Sequence, residues 1–233
     1  MTDVIIMIKE KKTIQQISLY YDVYIPDSDN KKPLLIALHG YGGNKKSMMI
    51  IAQGINKQDY VIASLQGPYQ HFLPSELTPN PLRPGFGWIT KFKSDESIEL
   101  HHNSIKSIIE TLKNENRIDA DNVFLLGFSQ SVSLNYRFAF AYPELIKGVI
   151  ATNGGTPGDL SNADKYRKIN LSVLHISGNQ DTIYTPKIVD QQITTLKLLV
   201  NDLEIFSFDG GHEFPPKTFP IIDKWIKGKI IKT

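Results

Sequence analysis

No cysteine occurs among the 233 residues of this chain. That absence excludes disulfides, thiolate zinc sites and a cysteine nucleophile, and it fits a reducing compartment, so the expected location is cytoplasmic. An excess of one charge is missing as well. The formal net charge is +2, acids and bases are scattered along the whole chain, and no basic stripe is interleaved with aromatics, which argues against nucleic acid as a partner. Long apolar runs are also absent. The run at residues 4–8 is too short for the core of a secretory signal and leads into Lys9-Glu10-Lys11-Lys12. No segment is long enough to span a membrane. Neither internal repeats nor low-complexity linkers interrupt the chain, and 233 residues suffice for one large core, so one domain over 1–233 is expected.

What is present is a series of short apolar runs. Two β-like runs open the chain, at residues 4–8 and 19–25, and in the second Leu19, Tyr21, Val23 and Ile25 alternate with more polar neighbours, as in an antiparallel strand. From residue 34 onward the runs become continuously apolar, at 34–38, 61–65, 123–128, 149–152, 171–176 and 203–208. Continuous runs predict strands buried on both faces, as in a parallel sheet. Helical stretches alternate with them at 45–56, 95–114, 130–142, 186–200 and 217–227. The clearest is 95–114, where Ile98, Ile105, Ile108, Ile109 and Leu112 recur at three- and four-residue spacing and Ser94 is the expected N-cap. The alternation predicts an α/β fold, with a mostly parallel sheet, an antiparallel N-terminal start and helices on both faces. Residues 67–93 break the pattern with Pro68, Pro74, Pro79, Pro81 and Pro84. This predicts a long functional loop at the carboxyl edge of the sheet, where open α/β folds bind ligands. Its aromatics Phe72, Phe86 and Trp88 are the expected pocket walls.

The residues that could carry chemistry start from one corner. Gly127-Phe128-Ser129-Gln130-Ser131 directly follows the apolar Val123-Phe124-Leu125-Leu126 and precedes a helical stretch. A serine at such a strand-to-helix turn is pushed out of the sheet by a strained backbone, and the residues two before and two after it must be small. Gly127 and Ser131 satisfy that limit. A serine nucleophile needs a base, an acid to orient the base, and N–H donors for the oxyanion. Where a serine at such a corner acts with a base and an acid, the acid and then the histidine can follow it on later loops. Asp181 lies in Ser177-Gly178-Asn179-Gln180-Asp181-Thr182 after the 171–176 run, and His212 follows Asp209-Gly210-Gly211 after the last run. Asp209, close to His212 in sequence, is the competing acid, whereas Asp190 and Asp202 fall in or beside a helix. His175 reads as a hydrogen-bonded core residue, His101 and His102 as helix residues with structural or solvated roles, and His71 as a loop position. No histidine pair has the spacing, with a glutamate, of a zinc hydrolase. Of the donors, one N–H should come from the loop after the 34–38 run and one from the residue after the serine, hence Tyr41 and Gln130. The glycines around Tyr41 lack the lysine and the spacing of a nucleotide-binding loop.

These four motifs, Leu38-His39-Gly40-Tyr41-Gly42-Gly43, Gly127-Phe128-Ser129-Gln130-Ser131, Gly178-Asn179-Gln180-Asp181 and Gly211-His212, occur in this order across most of the chain. The chain resembles the α/β-hydrolase superfamily, and within it the carboxylesterase and phospholipase-like branch that includes acyl-protein thioesterases. In that branch the motif after the serine usually continues with two glycines, where Ser131 and Val132 stand here, so altered packing beneath the corner is expected. The run Val173-Leu174-His175-Ile176 also resembles feruloyl-esterase and polyester-depolymerase relatives. The resemblance implies a serine esterase for small to medium acyl or aryl esters that works through an acyl-enzyme. It uses Ser129, His212 and Asp181 as the triad, Tyr41 and Gln130 as oxyanion donors, and neither metal nor cofactor. Thioester or lysophospholipid hydrolysis is the first alternative and a non-catalytic binding protein the more remote one.

Overall fold

The computed structural model of the protein describes residues 8–28, 30–74 and 82–230. Its centre is a seven-stranded sheet in the order β1 (Tyr21–Tyr24), β3 (Val61–Leu65), β2 (Lys32–Leu38), β6 (Ile118–Phe128), β7 (Gly148–Thr152), β8 (Ile169–Gly178), β9 (Val200–Phe208). Only β1 is antiparallel to its neighbour. Each central strand sends alternate side chains to two apolar layers, which is why its sequence reads as a continuous run rather than an alternating one. Leu34, Ile36, Val123 and Leu125 face helices α2 (Ser94–Asn114), α3 (Gln130–Ala141) and α4 (Pro186–Leu199). Leu35, Ala37, Phe124 and Leu126 face α1 (Lys45–Asn56) and α5 (Phe219–Lys229). No described helix is long and apolar enough to cross a membrane.

Several expectations need correction. The strand expected at 4–8 lies, apart from Ile8, outside the described residues. Ser94 is the first residue of α2 and not its cap; Lys93 takes the cap position with φ 52° and no side-chain capping bond. Asp95 and Glu96 in the first turn compensate the exposed N–H groups there. The last strand is an edge, not a doubly buried strand, with Ile205 47% exposed. Lys229 covers that edge by pairing with Asp202 and Glu204.

The largest correction concerns residues 67–93, expected to be an irregular loop. Two strands occur there, β4 (Tyr69–Pro74) and β5 (Leu82–Gly87), paired antiparallel with Tyr69 opposite Gly87 and Pro74 opposite Leu82. Tyr69, His71 and Leu73 are half-buried while Gln70, Phe72 and Pro74 are exposed, a strand period that the prolines obscured. Proline breaks a central strand, but in a two-stranded ribbon every strand is an edge and proline is tolerated. Pro79 and Pro81 lie outside the described residues.

Candidate active site

Ser129 joins β6 to α3 with φ 56° and ψ −116°. A non-glycine residue held there stores on the order of 1–3 kcal/mol of strain. Its N–H donates to the Thr152 carbonyl at 3.0 Å, and its own carbonyl accepts from Val132 N–H at 3.1 Å. Close approach of strand and helix explains the small neighbours: a Cβ on Gly127 would meet Asn135 Nδ2 at 2.7 Å. Ser131, at the position where the resemblance led to the expectation of glycine, is fully buried. Its Oγ accepts from Phe128 N–H at 3.0 Å and faces the Leu38 and Phe128 carbonyls at 2.9 and 3.1 Å. The hydroxyl thus cross-links the end of β2 to the corner. Val132 is accommodated by a glycine opposite, since a Cβ on Gly154 would lie 2.4 Å from Val132 Cβ. The altered packing expected at these two positions is a hydrogen-bonded substitution at one and an exchange of size at the other.

His212 and Asp181 come from the loops after β9 and β8. Ser129 Oγ lies 2.9 Å from His212 Nε2, and His212 Nδ1 lies 2.8 Å from Asp181 Oδ2. A carboxylate can only accept, so the proton sits on Nδ1, and Nε2 is left to accept from the serine hydroxyl. The Asp181 side chain is fully buried, and its second oxygen accepts the N–H groups of Ile183 and Tyr184 at 2.8 and 3.0 Å. The competing Asp209 points elsewhere, with Oδ1 accepting from Gln180 Nε2 at 2.7 Å. The Phe128 and Tyr184 rings flank the imidazole, 5.1 and 5.9 Å away between centroids.

The glycine-rich loop after β2 lies against the serine. A Cβ on Gly40 would approach Ser129 Cβ to 3.1 Å and Phe128 Cδ1 to 2.8 Å. Buried His39 organises this loop. Its Nδ1–H donates to the Gly40 carbonyl at 2.7 Å, Nε2 accepts Gly67 N–H at 2.9 Å, and its carbonyl accepts the Trp88 indole N–H at 2.7 Å. Burial pushes its pKa down to about 4, against the opposing effect of the Gly40 carbonyl, so the ring is neutral. Gly42, at φ 78°, donates to the Phe86 carbonyl at 2.8 Å, and Phe86 N–H returns a bond to Gly43. These bonds fasten the β4–β5 arm to the loop. They leave the Tyr41 and Gln130 N–H groups without a protein acceptor among the described residues. The Gln130 N–H stands at the start of α3, where helix geometry supplies no acceptor. The Gln130 side chain accepts from Trp88 N–H at 2.8 Å.

The three aromatics expected to wall a pocket separate. Phe72 is 62% exposed and Phe86 half-buried, but Trp88 is 2% exposed. Trp88 is corrected to a core residue: its ring packs on His39 and His101 behind the loop. The Tyr41 ring, 60% exposed, stacks on His71 at 4.3 Å, which brings this arm histidine beside the site. His101, His102 and His175 are buried. Burial above all pushes the first to about 3 and the other two to about 4, and His175 Nδ1 pairs with the Tyr136 hydroxyl at 3.0 Å.

Sequence reasoning missed Asn153, which follows β7 with φ 42° and is fully buried. Its one local signal is its place between a strand end and Gly154-Gly155, which says nothing of what it binds.

The architecture recurs among esterases of known structure. A carboxylesterase from Mesorhizobium loti superposes with a TM-score of 0.71 at 17% identity, over 92% of this chain and 97% of that one. For the Bacillus cereus carboxylesterase the values are 0.69, 15%, 91% and 95%. At such identities the likeness is one of fold, the α/β-hydrolase fold. In sequence, the chain is 26% identical over 160 residues to NocK, a candidate esterase of Nocardia uniformis subsp. tsuyamanensis. The match covers 65% of this chain and 41% of that protein, so the chain spans about two fifths of the relative's length. The characteristic pattern of phospholipases and carboxylesterases runs through residues 21–230, from the antiparallel edge strand past all four motifs, and the chain belongs to the phospholipase/carboxylesterase family.

Proposed function

We propose that the protein hydrolyses carboxylic esters of small to medium acyl or aryl acids through an acyl-enzyme, with residues 1–233 acting as one domain. Ser129 Oγ attacks the ester carbon while His212 Nε2 takes its proton. The imidazolium passes that proton to the departing alcohol, and water then releases the acid by the same route in reverse. Asp181 keeps the ring in the tautomer that can accept. The N–H groups of Tyr41 and Gln130 receive the oxyanion, a term worth about 3 kcal/mol per donor. The observation that carries the reading is the unbroken chain of hydrogen bonds from Ser129 through His212 to buried Asp181. Phe72, Phe86 and the exposed Tyr41 ring are the acyl or aryl wall, and the lack of cysteine supports a cytoplasmic setting.

A fluorophosphonate probe tests this directly. Wild type is expected to label and to hydrolyse p-nitrophenyl esters of graded acyl length, and folded Ser129→Ala to do neither. Label retained in Ser129→Ala moves the nucleophile elsewhere, and a wild type inert to both probe and esters makes the fold a binding scaffold. A thioester turned over faster than every oxygen ester moves the substrate class, not the residues.

A further inference from the structure

Three loops must meet for the proton path to exist, and they meet at the end of β7. The Thr152 carbonyl accepts Ser129 N–H at 3.0 Å, and Asn153 N–H donates to Ile176, in the strand that leads to Asp181, at 2.9 Å. The Asn153 side chain reaches the remaining loops. Its Nδ2 donates to the Gly211 carbonyl at 3.0 Å and to the Glu213 carbonyl at 2.7 Å, one on each side of His212. Its Oδ1 accepts Gly178 N–H at 2.7 Å, at the root of the Asp181 loop. Both N–H donors and one acceptor direction of the carboxamide point at backbone that carries His212 or Asp181. The two loops are also pressed together, since a Cβ on Gly178 would lie 2.4 Å from the Gly210 carbonyl oxygen.

The residue type follows from chemistry. Two donors and an acceptor on one short planar group are required; aspartate has no donors, glutamine is a methylene longer, and alanine offers nothing. The left-handed backbone at φ 42° narrows the choice further, because asparagine tolerates it better than most residues. Burial adds weight, for each partner left unpaired there loses its only substitute for water.

We infer that Asn153 is a positioning residue for the reaction: its carboxamide clamps the backbone on both sides of His212 to the base of the Asp181 loop and so sets the imidazole against Ser129. This inference rests on the triad reading above. It is tested with Asn153→Gly, which accepts the positive φ and deletes only the clamp, and with near-isosteric Asn153→Asp, which keeps the acceptor but turns an oxygen toward the Gly211 and Glu213 carbonyls. In folded Asn153→Gly, kcat for a p-nitrophenyl ester is expected to fall about 100-fold, as for a small displacement of a reacting group, with KM within about twofold. Fluorophosphonate labelling should slow in parallel. The downfield 1H resonance of the proton between His212 Nδ1 and Asp181 should broaden or vanish, a change that a merely stabilising residue would not produce. Asn153→Asp should lose at least as much. If either variant folds and keeps kcat within about threefold of wild type with that resonance intact, the inference is overturned; a loss confined to Tm or KM overturns it too. Ser129→Ala separates the two levels: activity surviving in that variant removes the triad itself, whereas inactive Ser129→Ala beside fully active Asn153→Gly removes the clamp alone.

Discussion

The two sides of the site are built by different means. On one side Ser129, Asp181 and His212 stand on loops whose backbone is tied to the ends of β7, β8 and β9 by buried hydrogen bonds. On the other, the β4–β5 arm contributes rings and exposed apolar surface, and it is held to the glycine-rich loop through Phe86, Gly42, Gly43 and Arg83 and to α2 through the Tyr69 and Ser97 hydroxyls. The first side holds the Ser129, His212 and Asp181 side chains within hydrogen-bonding distance of one another. The second can change its outer residues with less disturbance to the first, because Phe72 is exposed to solvent. Fixed chemistry beside a variable wall is what a hydrolase fold needs to serve many substrates.

The difference yields measurable contrasts. Asp181→Asn should lower kcat about 10⁴-fold, because the amide no longer fixes the tautomer of His212, while Asp209→Asn, whose partner is Gln180, should leave kcat within about threefold. Equal losses from the two would erase the distinction between acid and bystander. At the root of the arm, Trp88→Ala should destabilise the protein by about 3–5 kcal/mol, seen as a lower denaturant midpoint, without changing the preference among esters in the folded fraction. A changed acyl preference there would return Trp88 to the pocket.

Acid should destabilise the framework behind the site. His39, His101, His102 and His175 all have folded pKa values depressed from 6.5 to between about 3 and about 4, with burial the leading cause. Between those values and 6.5 the unfolded chain binds more protons than the folded one, so stability is complete above about pH 6.5 and is lost as pH falls toward 4. A Tm that stays flat from pH 7 to pH 4.5 would contradict the neutral, buried state of these rings.

Ser131→Gly removes the cross-link between β2 and the corner and with it the hydroxyl acceptor of the part-buried Phe128 N–H, a cost of roughly 1–3 kcal/mol. Activity at a temperature where the variant is folded should remain within about tenfold; a drop of several orders of magnitude would put the hydroxyl in the chemistry. The mildest change is Phe72→Ala, expected to shift the kcat/KM ratio between long and short esters by roughly tenfold at most. A uniform loss across the series would mean that the arm gates access rather than selects.

Much of this was legible in the sequence, and for local reasons. Doubly buried strands leave continuous apolar runs, a strand-to-helix corner requires small residues on either side of its serine, and the order of serine, acid loop and histidine loop follows the order of strands. Strand β3 and helix α1 were expected within the bounds they have. The arm was misread because its prolines resemble a loop unless each strand is known to have only one neighbour.

What only the tertiary structure decided are the contacts between residues far apart in the chain. Asp181 rather than Asp209 meets His212 because a strand and a helix return the chain to the same edge, although Asp209 is far nearer in sequence. Trp88 turns inward because the His39 carbonyl lies within reach of its indole. Val132 fits because Gly154 faces it, and Asn153 binds two loops that its neighbours in sequence do not contain. Periodicity and steric limits are properties of a segment and can be read along the chain; which donor finds which acceptor across a sheet depends on where the fold brings loops together, and no segment carries that information alone.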